Sequence, residues 1–149
     1  KNINRLEWFL EKTTELGIDQ ISLLLCQRSE RKKIRLDRLE KIILSAAKQS
    51  LKSYFPKLND LVKFKDFVAQ AQASKKYIAH CNVEELPHLK TLVPGQEDVL
   101  VLIGPEGDFS LEEVALAEEH GFEAVSLGDS RLRTETAGIV ACHVVHLCV

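Results

Sequence analysis

The stretch S-L-G-D-S-R-L-R-T-E-T-A-G, residues 126–138, decides the fold when it is read together with L-I-G-P-E-G-D-F, residues 102–109. Each begins as a short apolar strand, stops at a glycine, and passes through a polar loop into a helical pattern. In an open α/β sheet, ligands bind at the carboxyl ends of strands, beneath helix N-termini whose free N–H groups face the loop. Two such loops imply one site.

The segments around these loops complete an α/β pattern. Residues 98–103 form the clearest strand in the chain. Ser110-Leu111-Glu112-Glu113 is a capping box that opens a helix to about His120, where Gly121 stops it. Residues 124–127 form another strand, and Thr134 starts a last helix with Ile139, Val140, Val144 and Leu147 inward. Upstream, residues 4–16 place Leu6, Phe9, Leu10, Thr13 and Leu16 on one helical face, with Gly17 as the stop. Residues 18–26 are apolar and too short for a buried helix, so they predict a central strand. Asp37 caps a helix to about Ser53, with Leu39, Ile42, Ile43, Ala46, Ala47 and Ser50 buried and Pro56 at its exit. A short helix from Asp66, a strand over 76–81 and a loop-rich connection around Pro87, Pro94 and Gly95 follow. The expected fold is therefore α/β, one parallel sheet flanked by helices, in a single domain over residues 1–149.

A chain of 149 residues that is 45% hydrophobic and 28% charged can bury a core without disulfides or metal. Its formal net charge of −2 argues against holding nucleic acid by bulk electrostatics, so any RNA contact is local or supplied by another domain. Cys26, Cys81, Cys142 and Cys148 form no C-x-x-C pair and sit in apolar segments, which reads as reduced, buried thiols of a cytoplasmic protein. No signal peptide and no apolar run of bilayer length is present, so no membrane partner is expected. With Lys1 in place of Met and a helix starting almost at once, the chain reads as a fragment that lacks an N-terminal portion. The absence of G-x-G-x-x-G, G-x-x-x-x-G-K-[ST] and G-x-S-x-G argues against a dinucleotide dehydrogenase, a P-loop NTPase and an acyl-transfer serine. Cys142, His143 and His146 read as packed or edge residues, with no metal expected, because zinc needs three or four convergent ligands. Arg28, Arg31, Lys32, Lys33, Arg35 and Arg38 crowd into one short span. They are either a solvated loop and first helical turn or a phosphate-contacting patch.

G-P-E-G at 104–107 followed by L-G-x-x-x-L-R-T-E-T-A at 127–137 resembles the SPOUT methyltransferases, specifically the family that methylates uridine N3 in small-subunit (16S) ribosomal RNA. The resemblance extends to R-L-E-W-F-L-E-K-T-T-E-L-G-I at 5–18, S-E-R at 29–31 and A-A-K-Q-S around Gln49. It implies a C-terminal deep trefoil knot, a homodimer packed around it, S-adenosylmethionine as methyl donor, and an N-terminal RNA-binding barrel of the PUA type. It also implies a cofactor pocket from Leu102, Ile103, Gly104, Pro105, Glu106, Gly107, Leu127, Gly128, Ser130, Leu132, Thr134, Thr136 and Ala137. RNA contacts are implied for Arg28, Arg31, Lys33, Gln49 and Arg131.

The chain departs from the family where Asp108 replaces a second glycine and Ser130 an arginine, with Arg131 one place later. Lys48 and Lys52 also replace a common glutamate and arginine. Uridine N3 must lose a proton before or during attack, which needs a nearby carboxylate or a cation that stabilises the anion. Glu135 and Arg133 are the candidates. Both also fit a structural reading, with Glu135 favoured by the helix dipole and Arg133 as its ion-pair partner. A knotted relative acting on tRNA or a ribose hydroxyl would carry similar loops, and a non-catalytic RNA- or nucleotide-binding module is the alternative outside the enzymes.

Overall fold

The computed structural model describes residues 3–30 and 32–149. Helix α1 (Ile3–Leu16) turns Leu6, Phe9 and Leu10 inward, and Gly17 ends it. Strand β1 (Gln20–Leu25) follows and pairs in parallel with β2 (Lys57–Lys63). Helix α2 (Leu36–Gln49) crosses between them and buries Leu39, Ile43, Ala46 and Ala47 against α1 and β1. A second parallel sheet has the order β4-β3-β5, from β3 (Lys75–Ala79), β4 (Val99–Ile103) and β5 (Glu123–Val125). Helices α3 (Phe64–Gln70) and α5 (Leu111–Glu119) cover one face of it, where Phe64, Ile78, Leu102 and Phe109 meet. The other face carries α4 (Leu89–Leu92) and α6 (Thr134–Cys148), whose Leu89 and Ala141 cluster with Tyr77 and Val125 of the sheet. Each fully buried Leu, Ile or Phe in these cores contributes about 1.5–3 kcal/mol.

Several expectations are corrected here. The single sheet is two parallel sheets among the described residues, and residues of β1 and β4 line a cavity of about 820 Å³. The two are joined at their carboxyl ends, where Cys26 enters the same core as Leu102 and Phe64. Strand β2 and helix α4 were not expected. Asp37 does not cap α2: Arg35 is the N-cap without a side-chain cap bond, and Asp37 lies in the first turn, 3.1 Å from the Arg35 guanidinium. Helix α2 ends at Gln49 rather than near Ser53, because Leu51 takes a left-handed φ of 55°. Leu147 is 70% exposed, since the last turn of α6 runs past the sheet. Cys81 is exposed, whereas Cys26 is buried and its thiol is pushed up to about 12 by burial, with the Glu113 carboxylate adding to the effect.

His80 follows β3 and is buried, its Nδ1 accepting from the Asn82 N–H at 3.1 Å while Nε2 has no hydrogen-bond partner among the described residues. Burial holds its pKa below the ordinary 6.5, and Asp108 and Glu118 oppose that shift only in part. A folded pKa below the unfolded value means that the unfolded chain binds the proton first. Stability should therefore be complete above about pH 6.5 and fall as the pH drops toward the folded value. His80→Asn should flatten this acid limb in denaturant titrations at a series of pH values; an unchanged limb would exclude His80 as its source.

Candidate functional site

Ala79 is the register partner of Ile103 on one side and of Val125 on the other. The loops after β4 and β5 therefore leave the sheet at one level, two strand spacings or about 10 Å apart. After β4, the Asp108 N–H donates to Pro105 O at 2.8 Å and closes a turn. Asp108 holds the left-handed φ of 63°, which an Asp tolerates because its short side chain bonds the local backbone. Its carboxylate accepts from the N–H groups of Phe109 at 2.7 Å and Cys81 at 2.9 Å, so the turn is pinned to the end of β3.

After β5, Gly128 has φ 120° and donates its N–H to Ser126 Oγ at 3.0 Å. A Cβ built on Gly128 would meet nothing within 4 Å, so this backbone borders open space. The third segment is the start of α6. Thr134 Oγ1 donates to Gly104 O at 2.9 Å and ties residues 133–137 to the turn after β4. The two motifs, separate in sequence, are joined by this bond.

The sequence-predicted residues divide accordingly. Ile103, Gly104, Pro105, Leu132, Thr134, Thr136 and Ala137 are buried or half-buried beside the three segments, while Glu106, Gly107, Gly128, Ser130, Arg131 and Arg133 are exposed on them. Leu102 is buried and packs in the core with Phe64 and Phe109, whereas Ile103 and Leu127 face α6. Glu135 pairs with Arg5 of α1 at 3.7 Å, not with Arg133, and its side chain is 12% exposed. Arg133 is instead the exposed N-cap of α6 and makes no side-chain cap bond. Glu135, Thr134, Gly104 and Glu106 line the upper end of the cavity between the sheets.

The basic span is partly occupied. Arg28 Nη1 donates to Gly107 O at 2.6 Å, Arg35 pairs with Asp37, and Arg38 pairs with Glu7 of α1. Lys33 is exposed, and Arg31 lies outside the described residues. Gln49 is not brought to the site. It ends α2 at the amino end of the sheet, where Tyr54 Oη donates to Gly17 O just before β1. Sequence reasoning missed Arg5 and Glu113. Buried Glu113 accepts from the Gln27 N–H at 2.6 Å as well as from the Ser110 N–H at 3.0 Å, so the capping box also anchors the loop after β1. The capping box signalled the second of these bonds but not the first.

Glycine-containing loops that offer backbone donors and acceptors suit a flat ring with a small polar tail. A carboxylate and a guanidinium at the start of α6 add a proton acceptor and a cation. Among the described residues no three His, Cys, Asp or Glu side chains converge as a metal site, and no helix is long and apolar enough to cross a membrane.

The chain is similar to a ribosomal RNA small subunit methyltransferase E of Mesomycoplasma hyopneumoniae, with 30% identity over 89% of this chain and 60% of that protein. The structure superposes on a probable rRNA-methyltransferase from Porphyromonas gingivalis with a TM-score of 0.92 and 44% identity, covering 99% of this chain and 65% of that one. It also superposes on a ribosomal RNA small subunit methyltransferase E from Neisseria gonorrhoeae bound to S-adenosyl methionine, with a TM-score of 0.82 and 30% identity over 93% and 59% of the two chains. The chain thus spans about 60% of the length of the relatives it matches. The family described as RNA methyltransferase domain matches residues 1–146, which include β4, β5, their loops and nearly all of α6, so the chain belongs to the RNA methyltransferase domain family.

Proposed function

We propose that this chain is the cofactor-binding and catalytic part of a cytoplasmic S-adenosylmethionine-dependent methyltransferase that methylates N3 of a uridine in 16S ribosomal RNA of the small subunit. The observation that carries this reading is the Thr134–Gly104 bond, which sets Arg133 and Glu135 beside the turn after β4. Open space at Gly128, in an exposed loop that leaves the sheet at the same level as the turn after β4, fits a small-molecule donor, and the relative from Neisseria gonorrhoeae was crystallised with that molecule. When bound, the cofactor supplies an electrophilic methyl group on a sulfonium.

The chain's own residues do the rest. Ile103, Gly104, Gly107, Leu127, Gly128 and Leu132 hold the donor through backbone groups and fix a near-attack geometry. The Glu135 carboxylate takes the N3 proton, and the Arg5 guanidinium keeps it oriented between the two helices. Exposed Arg133 offsets the negative charge that forms on the uracil ring. N3 lies on the Watson–Crick edge, so the target base must be unpaired or turned out of its stack.

This reading includes finer features. A deep trefoil knot would thread α6, which begins at the β4 turn and packs on α1. A homodimer is supported by exposed Trp8 on α1 and by Leu147 and Val149 at the end of α6. A PUA-type barrel would occupy part of the length by which the relatives exceed this chain. Light scattering at micromolar concentration should give the dimer mass, and a monomer mass would remove that feature. Calorimetric titration with S-adenosylmethionine tests the cofactor assignment: saturable binding is expected, and its absence would contradict the proposed activity.

A further inference from the structure

The turn after β4 is held from two sides. On one, Thr134 Oγ1 reaches Gly104 O, which belongs to the site already described. On the other, the exposed Arg28 side chain crosses from the loop after β1 and donates from Nη1 to Gly107 O at 2.6 Å. The side chain lies flat on the turn: a Cβ on Gly107 would sit 3.1 Å from Arg28 Cδ and 3.3 Å from its Cβ. The loop that carries Arg28 is itself fixed. Ser29 Oγ accepts from the Cys26 N–H at 3.0 Å, and buried Glu113 accepts from the Gln27 N–H. Arg28 therefore projects from a rigid base onto the turn. A guanidinium has five donors in a planar fork, and the bond to Gly107 uses one.

We propose that Arg28 is a positioning residue that couples RNA to the cofactor turn, bridging Gly107 O and a phosphate of the RNA backbone at the same time. The partner class follows from the fork and from exposed Lys32 and Lys33 a few residues on, in a chain that is acidic overall. RNA docked on this span immobilises the guanidinium, and through it residues 104–108. The proposal rests on the methyltransferase reading for the identity of the RNA, but its test does not need the cofactor.

Amide exchange over residues 104–110 is measured in cofactor-free protein at low salt, with and without a saturating single-stranded oligouridine. In the unaltered protein RNA should slow exchange at Asp108, whose N–H closes the turn. In Arg28→Ala that amide should exchange about tenfold faster without RNA, as expected for a lost charge-assisted bond, and should no longer respond to RNA. Arg28→Lys should keep the turn protected without RNA and lose most of the RNA response, because an ammonium has no planar fork to bridge both oxygens. Lys33→Ala should weaken RNA binding yet show full protection once saturated. Unchanged exchange in Arg28→Ala, an RNA response that survives in it, or no RNA response in the unaltered protein would each overturn the proposal. The cofactor titration above decides the methyltransferase reading separately.

Discussion

Gly138→Val should destabilise the chain by about 3 kcal/mol, because even the first added carbon has no room. A Cβ at Gly138 would lie 2.5 Å from Phe9 Cε2 and 3.0 Å from Cδ2, well inside carbon–carbon contact distance. Phe9 packs on the cluster of Leu10, Leu39 and Ile43, so its ring must give up part of that packing to relieve the contact. Replacing a helical glycine returns at most about 1 kcal/mol of propensity, so the clash wins. For a domain of this size the midpoint of thermal unfolding should fall by about 10 °C. Gly138→Ala should fall in between, and Phe9→Ala should recover part of its loss, since the two residues share one space. Equal unfolding midpoints for Gly138→Val and the unaltered protein would show that α1 and α6 are not packed through this glycine.

Gly128→Val should leave the fold nearly intact and weaken S-adenosylmethionine binding by about a hundredfold or more. Two effects act together. The φ of 120° is rarely adopted by a side-chain-bearing residue, and forcing it costs of order 1–3 kcal/mol unless the loop moves. The loop is exposed, so it will move rather than unfold the sheet. The added side chain also enters the open space that this account gives to the cofactor. Gly128→Ala separates the two, keeping the strain with little bulk. Circular dichroism and melting should match the unaltered protein within a few degrees, while calorimetric titration loses its heat. A full titration in Gly128→Val would place the cofactor elsewhere.

What could be read from the sequence follows from the range of the forces involved. The strands β1 and β4 were legible as short apolar runs, and β3 and β5 through the apolar segments Tyr77-Ile78-Ala79 and Ala124-Val125 beside polar residues. The capping box at Ser110 and Glu113 was legible because both its bonds span three residues. Strand β2 was not, since K-L-N-D-L-V-K carries Asn59 and Asp60 and is only half-buried. Helix α4 was hidden by Pro87 and Pro94, which mark a loop but do not forbid one helical turn between them. The division into two sheets is a matter of which strands pair, a long-range property that no local pattern reports.

At the site, the two motif loops were legible and the contacts that hold them were not. Arg28 and Gly107 are 79 positions apart, so charge counting left a solvated loop or a phosphate-contacting patch open and could not see the strut that the fold makes. Arg5 similarly takes the place expected of Arg133 beside Glu135, because the helix pair brings it there. Alternation along β4 alone separates Leu102 from Ile103, which face opposite layers.

The most direct measurement is mass-spectrometric mapping of methylated nucleotides in small-subunit ribosomal RNA from cells with and without the gene. Loss of a single N3-methyluridine, restored by the intact gene and not by one carrying Gly128→Val, is the expected result. An unchanged set of modified nucleotides, or the loss of a ribose methyl group instead, would contradict it.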